Sequence, residues 1–154
     1  MHEEIAKIYG ERLRIRVCGL LFEDEQLLLV NHQGLSAGDF WAPPGGGVEY
    51  GESMDQALKR EFVEETGLIV RVNEFAFGCE LIMPPLHAIE LFFWVNRRGG
   101  DLIHGNDPEL KIISESKFFH THELSTLKKD ALHGILQRAQ SKRDFQQLTG
   151  FYRI

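Results

Sequence analysis

The chain of 154 residues has a net charge of -6, with 43% apolar and 26% charged residues, the balance of a soluble globular protein with room for a real core. An acidic chain without clustered Lys and Arg is excluded from broad binding to nucleic-acid backbones, and no apolar run reaches the length of a membrane-crossing helix. The expectation is a single domain, residues 1–154, in the cytoplasm, because "MHEEIAKIYG" places Glu3 and Glu4 where a secretory leader would be basic.

In chain order, "LRIRVCGLLF" and "QLLLVNHQ", separated by "EDE", are rich in strand-compatible residues and predict a hairpin. Cys18 and Cys79 fall in no CxxC or Cys/His pattern, so both are expected as buried thiols without a disulfide or zinc. The stretches "WAPPGGG", "MPPL" and "RRGGD" are Gly-Pro punctuation and predict loops. A helix is predicted from about Ser53 to Thr66, where Ser53 and Gln56 make an S-x-x-Q capping box and Gly67 stands ready to end it. "LIVRVNEFAFGCELIM" predicts one or two strands, "HAIELFFWVNRR" a strong one and "SKFFH" a short one. A second helix is predicted roughly between Ser125 and Ala139, on the apolar stripe of Leu127, Ala131, Leu132, Ile135 and Leu136. Strands on both sides of a helix suggest a mixed sheet between helices, an α/β arrangement.

The first helix carries the chemistry. Leu58 and Phe62 face the core, while Glu61, Glu64 and Glu65 crowd a neighbouring face. A glutamate-rich helix face is usually just solvated, and like charges at these spacings cost only a few tenths of a kcal/mol per pair. Three carboxylates on adjacent turns are also what a hard cation asks for, since Mg²⁺ and Mn²⁺ take oxygen ligands and are held by one or two carboxylates with phosphates and water. Ala57, one turn earlier, is read as leaving room beside them. The preceding "PPGGGVEYGE" joins chain-fixing prolines to glycines that let a ligand approach the backbone.

These residues carry a family resemblance. Gly46, five residues, Glu52, seven residues, Arg60-Glu61, Phe62, Val63, Glu64-Glu65, Thr66, Gly67 and Leu68 match the signature box of the Nudix (MutT-like) hydrolases at every defined position. Seven fixed residues in register arise by chance with a probability on the order of 10⁻⁸ per window, which decides against a merely solvated face. The resemblance extends over most of residues 14 to 136, while the tail "QSKRDFQQLTGFYRI" has no counterpart.

The resemblance implies an α/β/α sandwich with a mixed β-sheet and a Mg²⁺- or Mn²⁺-dependent hydrolase of a nucleoside diphosphate linked to another moiety. It implies Glu61 and Glu65 as metal ligands, Glu64 as ligand or water-ordering base, and a Gly45 carbonyl on the metal. Arg60 would orient the carboxylates, with Glu52 as its partner or an outer ligand. A base outside the box is sought among Glu80, Glu90, Glu109 and Glu115, with Glu115 preferred because it begins the late strand. The histidines of "HTH", His120 and His122, are expected at the surface before a helix. Phe40, Trp41, Tyr50, Phe75 and Phe77 are candidates to stack on a base. Pro84 and Pro85 lie near the spacing of a proline seen in the ADP-ribose subgroup, which puts ADP-ribose or a nucleotide sugar slightly ahead of a damaged nucleoside triphosphate. A ligand-binding module without hydrolysis is the alternative, disfavoured because every box carboxylate is present. The implied partner is a small nucleotide derivative, with no nucleic acid or membrane, compatible with a homodimer.

Overall fold

The computed structural model of the protein describes residues 3–103 and 113–154. In chain order the elements are α1 (Glu3–Tyr9), β1 (Leu13–Leu20), β2 (Phe22–Glu23), β3 (Gln26–His32), β4 (Trp41–Ala42), β5 (Gly45–Gly47) and α2 (Met54–Thr66). There follow β6 (Leu68–Met83), β7 (Leu86–Gly100), β8 (Ile113–Phe119), α3 (Thr121–Leu124), α4 (Lys142–Gln147) and β9 (Phe151–Arg153). One sheet has the order β5-β1-β7-β6-β9 and the other is built from β2, β3, β4 and β8. The first is mixed, because β1 runs parallel to β7 and β9 parallel to β6, while β1–β5 and β6–β7 are antiparallel.

The expected layering of helix, sheet and helix is present, and the strand period explains it. Alternate residues of β1 face opposite ways. Val17 joins Leu28, Ala57, Leu58, Phe62 and Val95 in a core beneath α2. Cys18 and Leu20 join Phe77, Phe92, Leu136 and Phe145 in a core beneath the C-terminal segments. Leu58 and Phe62 are fully buried, as their spacing predicted. Ala57 is fully buried too, so the space beside its small side chain is filled by the sheet and not left for a ligand.

α2 forms as its sequence dictates. Ser53 Oγ accepts from the Gln56 N–H while the Gln56 side chain accepts from the Ser53 N–H, closing the capping box. Gly67 ends the helix at φ 74°, and its N–H reaches the Val63 carbonyl. A side chain there would be strained and would also strike the Asp101 carbonyl at 2.4 Å.

Several expectations are corrected. The hairpin exists, but its first arm is β2 alone, with Phe22 opposite Leu27 and Glu23 opposite Gln26 around Asp24 and Glu25. Both turn residues take left-handed backbone, φ 48° and 61°, as a two-residue hairpin turn requires. β1 stops at Leu20 and belongs to the other sheet. "GGG", expected as loop, is the edge strand β5, paired with Arg16, Val17 and Cys18. "RRGG" is the end of β7.

No continuous helix occupies Ser125–Ala139. Short 3₁₀ turns lie at Lys129–Ala131 and Gly134–Gln137, interrupted by the extended residues Lys128 and Leu132. The stripe was real, since Leu132, Ile135 and Leu136 are buried. Tertiary contacts override its period: Leu132 bridges to Trp41, the His133 N–H donates to the Trp41 carbonyl, and the His133 ring is drawn to Glu90. The tail, unassigned from sequence, forms α4, capped by Ser141 and Asp144, and β9 on the edge of β6. Both cysteines are free and buried, as expected. Among the described residues no helix is long and apolar enough to cross a membrane.

Candidate active site

A cleft of about 830 Å³ opens along the glycine edge strand β5. α2 brings Arg60, Glu61, Glu64 and Glu65 to it; β1 and β7 bring Arg14, Arg16 and Glu90; His32, Phe40 and His133 close its inner end. β5 lets the two sides meet because it has no side chains. A Cβ on Gly46 would lie 2.2 Å from the Glu61 carboxylate, and one on Gly47 would lie 3.0 Å from the Arg14 guanidinium.

Arg60 gathers the acidic groups. Its Nε and Nη2 donate to the two oxygens of Glu52 at 2.8 and 3.0 Å, a fork-to-fork pair. Nη1 donates to Glu61 at 2.8 Å and to Glu64 at 3.3 Å, and Nη2 also to the Gly47 carbonyl at 3.1 Å. The hydrogen bond from Arg60 holds the Glu52 carboxyl below the usual range. Glu65 is 6% exposed and accepts from the Gly45 N–H at 3.0 Å. Burial, and then repulsion from Glu61, push its carboxyl well above the ordinary range. Burial also raises Glu61, against the hydrogen bond and charge of Arg60. Glu64 is half-exposed at the cleft mouth.

A buried and a part-buried carboxyl that repel each other, with one guanidinium shared among three acids, are a donor set short of positive charge. That fits a divalent cation. Among the described residues no three acidic, His or Cys side chains converge as placed to form a ready cage. The set therefore suits a cation held by one or two carboxylates with phosphates and water. The Gly45 carbonyl accepts from Arg16 at 3.3 Å and keeps a second lone pair.

The structure brings together Gly45, Glu52, Arg60, Glu61, Glu64 and Glu65, and of the outside candidates among the described residues it brings only Glu90 to the cleft. Glu115 is exposed on β8 opposite Asn31, away from the residues that line the cleft. Glu80 is tied to His87 at 3.0 Å on the protein surface, and Glu109 lies outside the described residues. Glu90 does line the cleft, fully buried, with both oxygens engaged: Arg16 Nη1 donates to one at 2.7 Å and His133 Nε2 to the other at 2.7 Å. The Ile135 N–H donates to His133 Nδ1 at 3.3 Å, which leaves Nε2 facing Glu90. Burial would raise the Glu90 carboxyl, but the charge and hydrogen bond of His133, then Arg16, outweigh it and bring it down to about 2.

Of the five aromatics considered for base stacking, only Phe40 lines the cleft. Trp41 packs edge-on against Phe119 and Phe77 stacks on Phe92, both in the core. Tyr50 is fully exposed, and Phe75 packs on Phe93. His120 caps α3 and His122 sits in that helix, with their rings stacked. Sequence reasoning missed Tyr9, Arg14, Arg16, His32 and His133. Arg14 and Arg16 had a signal: in "RLRIRV" every second residue is basic, so the two share one face of the strand.

The NUDIX domain family matches residues 12–139. The chain is 32% identical over 115 residues to the ADP-ribose pyrophosphatase of Methanocaldococcus jannaschii, covering 73% of this chain and 65% of that protein. It is 37% identical over 76 residues to nucleoside triphosphatase NudI of Escherichia coli O139:H28, covering 46% of this chain and 53% of that one. The chain thus spans between about half and two thirds of the length of these relatives. A NUDIX hydrolase from Nitrosomonas europaea superposes with a TM-score of 0.68 at 20% identity, over 92% of this chain and 79% of that one, a likeness of fold. With its box intact on α2 and the family match running across most of its length, the chain belongs to the NUDIX family.

Proposed function

We propose that the protein is a Mg²⁺- or Mn²⁺-dependent pyrophosphohydrolase of a nucleoside diphosphate linked to another moiety, with ADP-ribose or a nucleotide sugar ahead of a nucleoside triphosphate. The observation that carries this reading is the pair of mutually repelling carboxyls, part-buried Glu61 and buried Glu65, that line a cleft large enough for a nucleotide. These two would hold the cation, with Glu64 and the Gly45 carbonyl as further ligands. When bound, the cation supplies charge neutralisation at the phosphoryl oxygens and a more acidic water.

The chain's own residues do the rest. Arg60, braced by Glu52, holds Glu61 and Glu64 in orientation. Glu64, the exposed member of the helix set, is placed to take the proton from an attacking water. It is preferred to Glu115 as the base because Glu115 lies off the cleft. The broader match to a protein named ADP-ribose pyrophosphatase, set against the shorter one to NudI, supports the order of substrates. The complete set of box carboxylates supports hydrolysis over mere binding.

Phosphate release from a panel of nucleotide derivatives, with a coupled phosphatase and Mg²⁺ or Mn²⁺, tests the reading. Turnover is expected on nucleoside diphosphate derivatives, higher at alkaline pH and abolished by EDTA. Undiminished turnover in excess EDTA, or a maximum below pH 6, would count against the metal-bound water.

A further inference from the structure

β1 presents Arg14 and Arg16 to the cleft and Arg12, just before the strand, lines it too, a cationic strip in a chain of net charge -6. Their situations differ. Arg16 donates from Nη1 to Glu90 and from Nη2 to the Gly45 carbonyl, and only its Nε lacks a partner among the described residues. Arg14, among the described residues, has no ion pair and no hydrogen-bond acceptor, and its guanidinium lies 4.2 Å from the centre of the Tyr9 ring. That stacking covers one face of the guanidinium and leaves its in-plane N–H groups free. Half-buried beside the like charge of Arg16, Arg14 feels Glu61 and Glu90 only at a distance and is paired directly with neither.

A second unanswered group lies in the same cleft. His32 is 7% exposed, and its Nε2 has no partner among the described residues. Buried polar atoms are seldom left this way without a ligand or water to meet them. The cleft is therefore fitted to something polar on the arginine side of β5, opposite the carboxylates of α2.

Building on the pyrophosphohydrolase reading, we infer that Arg14, stacked on Tyr9 and flanked by Arg12, is a subsite for an anionic group on the substrate's non-nucleoside moiety. The preferred substrate then carries a negative charge beyond its two bridging phosphates, as a sugar acid or a sugar phosphate does. The diphosphate crosses the bare strand β5 with one end at Glu61 and Glu65, and the distal anion meets the open edge of Arg14. A carboxylate and a phosphate both suit that edge.

Two matched substrate pairs test this: UDP-glucose against UDP-glucuronate, and ADP-ribose against ADP-ribose 1″-phosphate. For wild type, kcat/KM is expected to favour the anionic member of at least one pair by about tenfold or more, the usual worth of a charge-assisted hydrogen bond. The pair that responds tells carboxylate from phosphate. Arg14→Met is expected to bring the ratio towards one, chiefly through KM, and Arg14→Lys to restore part of it. Thermal unfolding of each variant reports on folding. A wild-type ratio near one, or a ratio that survives in Arg14→Met, overturns the subsite while the hydrolase reading stands. If none of the four compounds is hydrolysed, that reading falls. Calorimetric binding of UDP-glucuronate and UDP-glucose to wild type and Arg14→Met, in Ca²⁺, still decides the subsite, and equal affinities overturn it.

Discussion

Glu65→Gln is expected to lower turnover by about 10³-fold or more, because an amide is a poor ligand for a hard cation and water activation fails without the metal. The fold should not suffer. Glu65 is buried beside Glu61, and its carboxyl is raised well above the ordinary value of 4.5. A carboxyl with a raised folded pKa favours the fold only while protonated, so the metal-free wild type gives up stability as pH climbs from about 4.5 through the raised value. Gln has no charge to lose. In EDTA the mutant should melt level with wild type at low pH and above it at neutral and alkaline pH, with the amide oxygen still able to accept from the Gly45 N–H. Mg²⁺ should raise the melting temperature of wild type more than that of the mutant. Thermal scans from pH 5 to 9, with and without Mg²⁺, check this. A mutant with full turnover and a markedly lower melting temperature would show Glu65 to be a structural group.

Glu90→Ala is expected to act in the opposite way, on stability. The substitution strips the acceptor from both Arg16 and His133, and removing one member of a buried charged pair costs about 3–5 kcal/mol. Glu90→Gln should cost less, since a neutral amide oxygen can still accept one of the two bonds. The pH dependence also reverses. With its folded pKa depressed to about 2, Glu90 contributes stability above the ordinary value of 4.5 and loses it as pH falls through that window. Urea unfolding of wild type and both variants at pH 7 and pH 3 measures the effect. If Glu90→Ala matched wild type at pH 7, the triad would be a surface accommodation of no structural weight.

The two glutamates mark how far the sequence could be read. Glu65 was legible because everything that places it is local: the capping box at Ser53, the Leu58–Phe62 face and the Gly67 stop belong to one helix of 13 residues and its two caps. Glu90 was visible as a candidate base, but not in its actual role, because its partners Arg16 and His133 lie 74 and 43 residues away. The same distance effect hid the C-terminal third. The stripe from Leu127 to Leu136 has helical spacing, yet docking against Trp41 and Glu90 decides its backbone, and neither contact leaves a local trace. The strand β5 was hidden in another way, since three glycines have no side-chain period to read and are identified only by what pairs with them.

The parallel pairing of β1 with β7 bears on how the molecule is assembled. Every registered pair in that ladder, from Leu13 with His87 to Leu20 with Trp94, joins residues 74 apart in sequence. β6 and β7, by contrast, meet across the two-residue link of Pro84 and Pro85. Closing the longer loop costs about 3 kcal/mol more in chain entropy, so the β6–β7 ribbon should nucleate and β1 should dock after the rate-limiting barrier. Stopped-flow chevrons should then show Val17→Ala accelerating unfolding with little change in the refolding limb, and Phe77→Leu slowing refolding. The reverse pattern would place β1 in the nucleus. On this route the binding face comes into being only at the last step, and a partly folded chain can hold its ribbon without any capacity to recognise substrate.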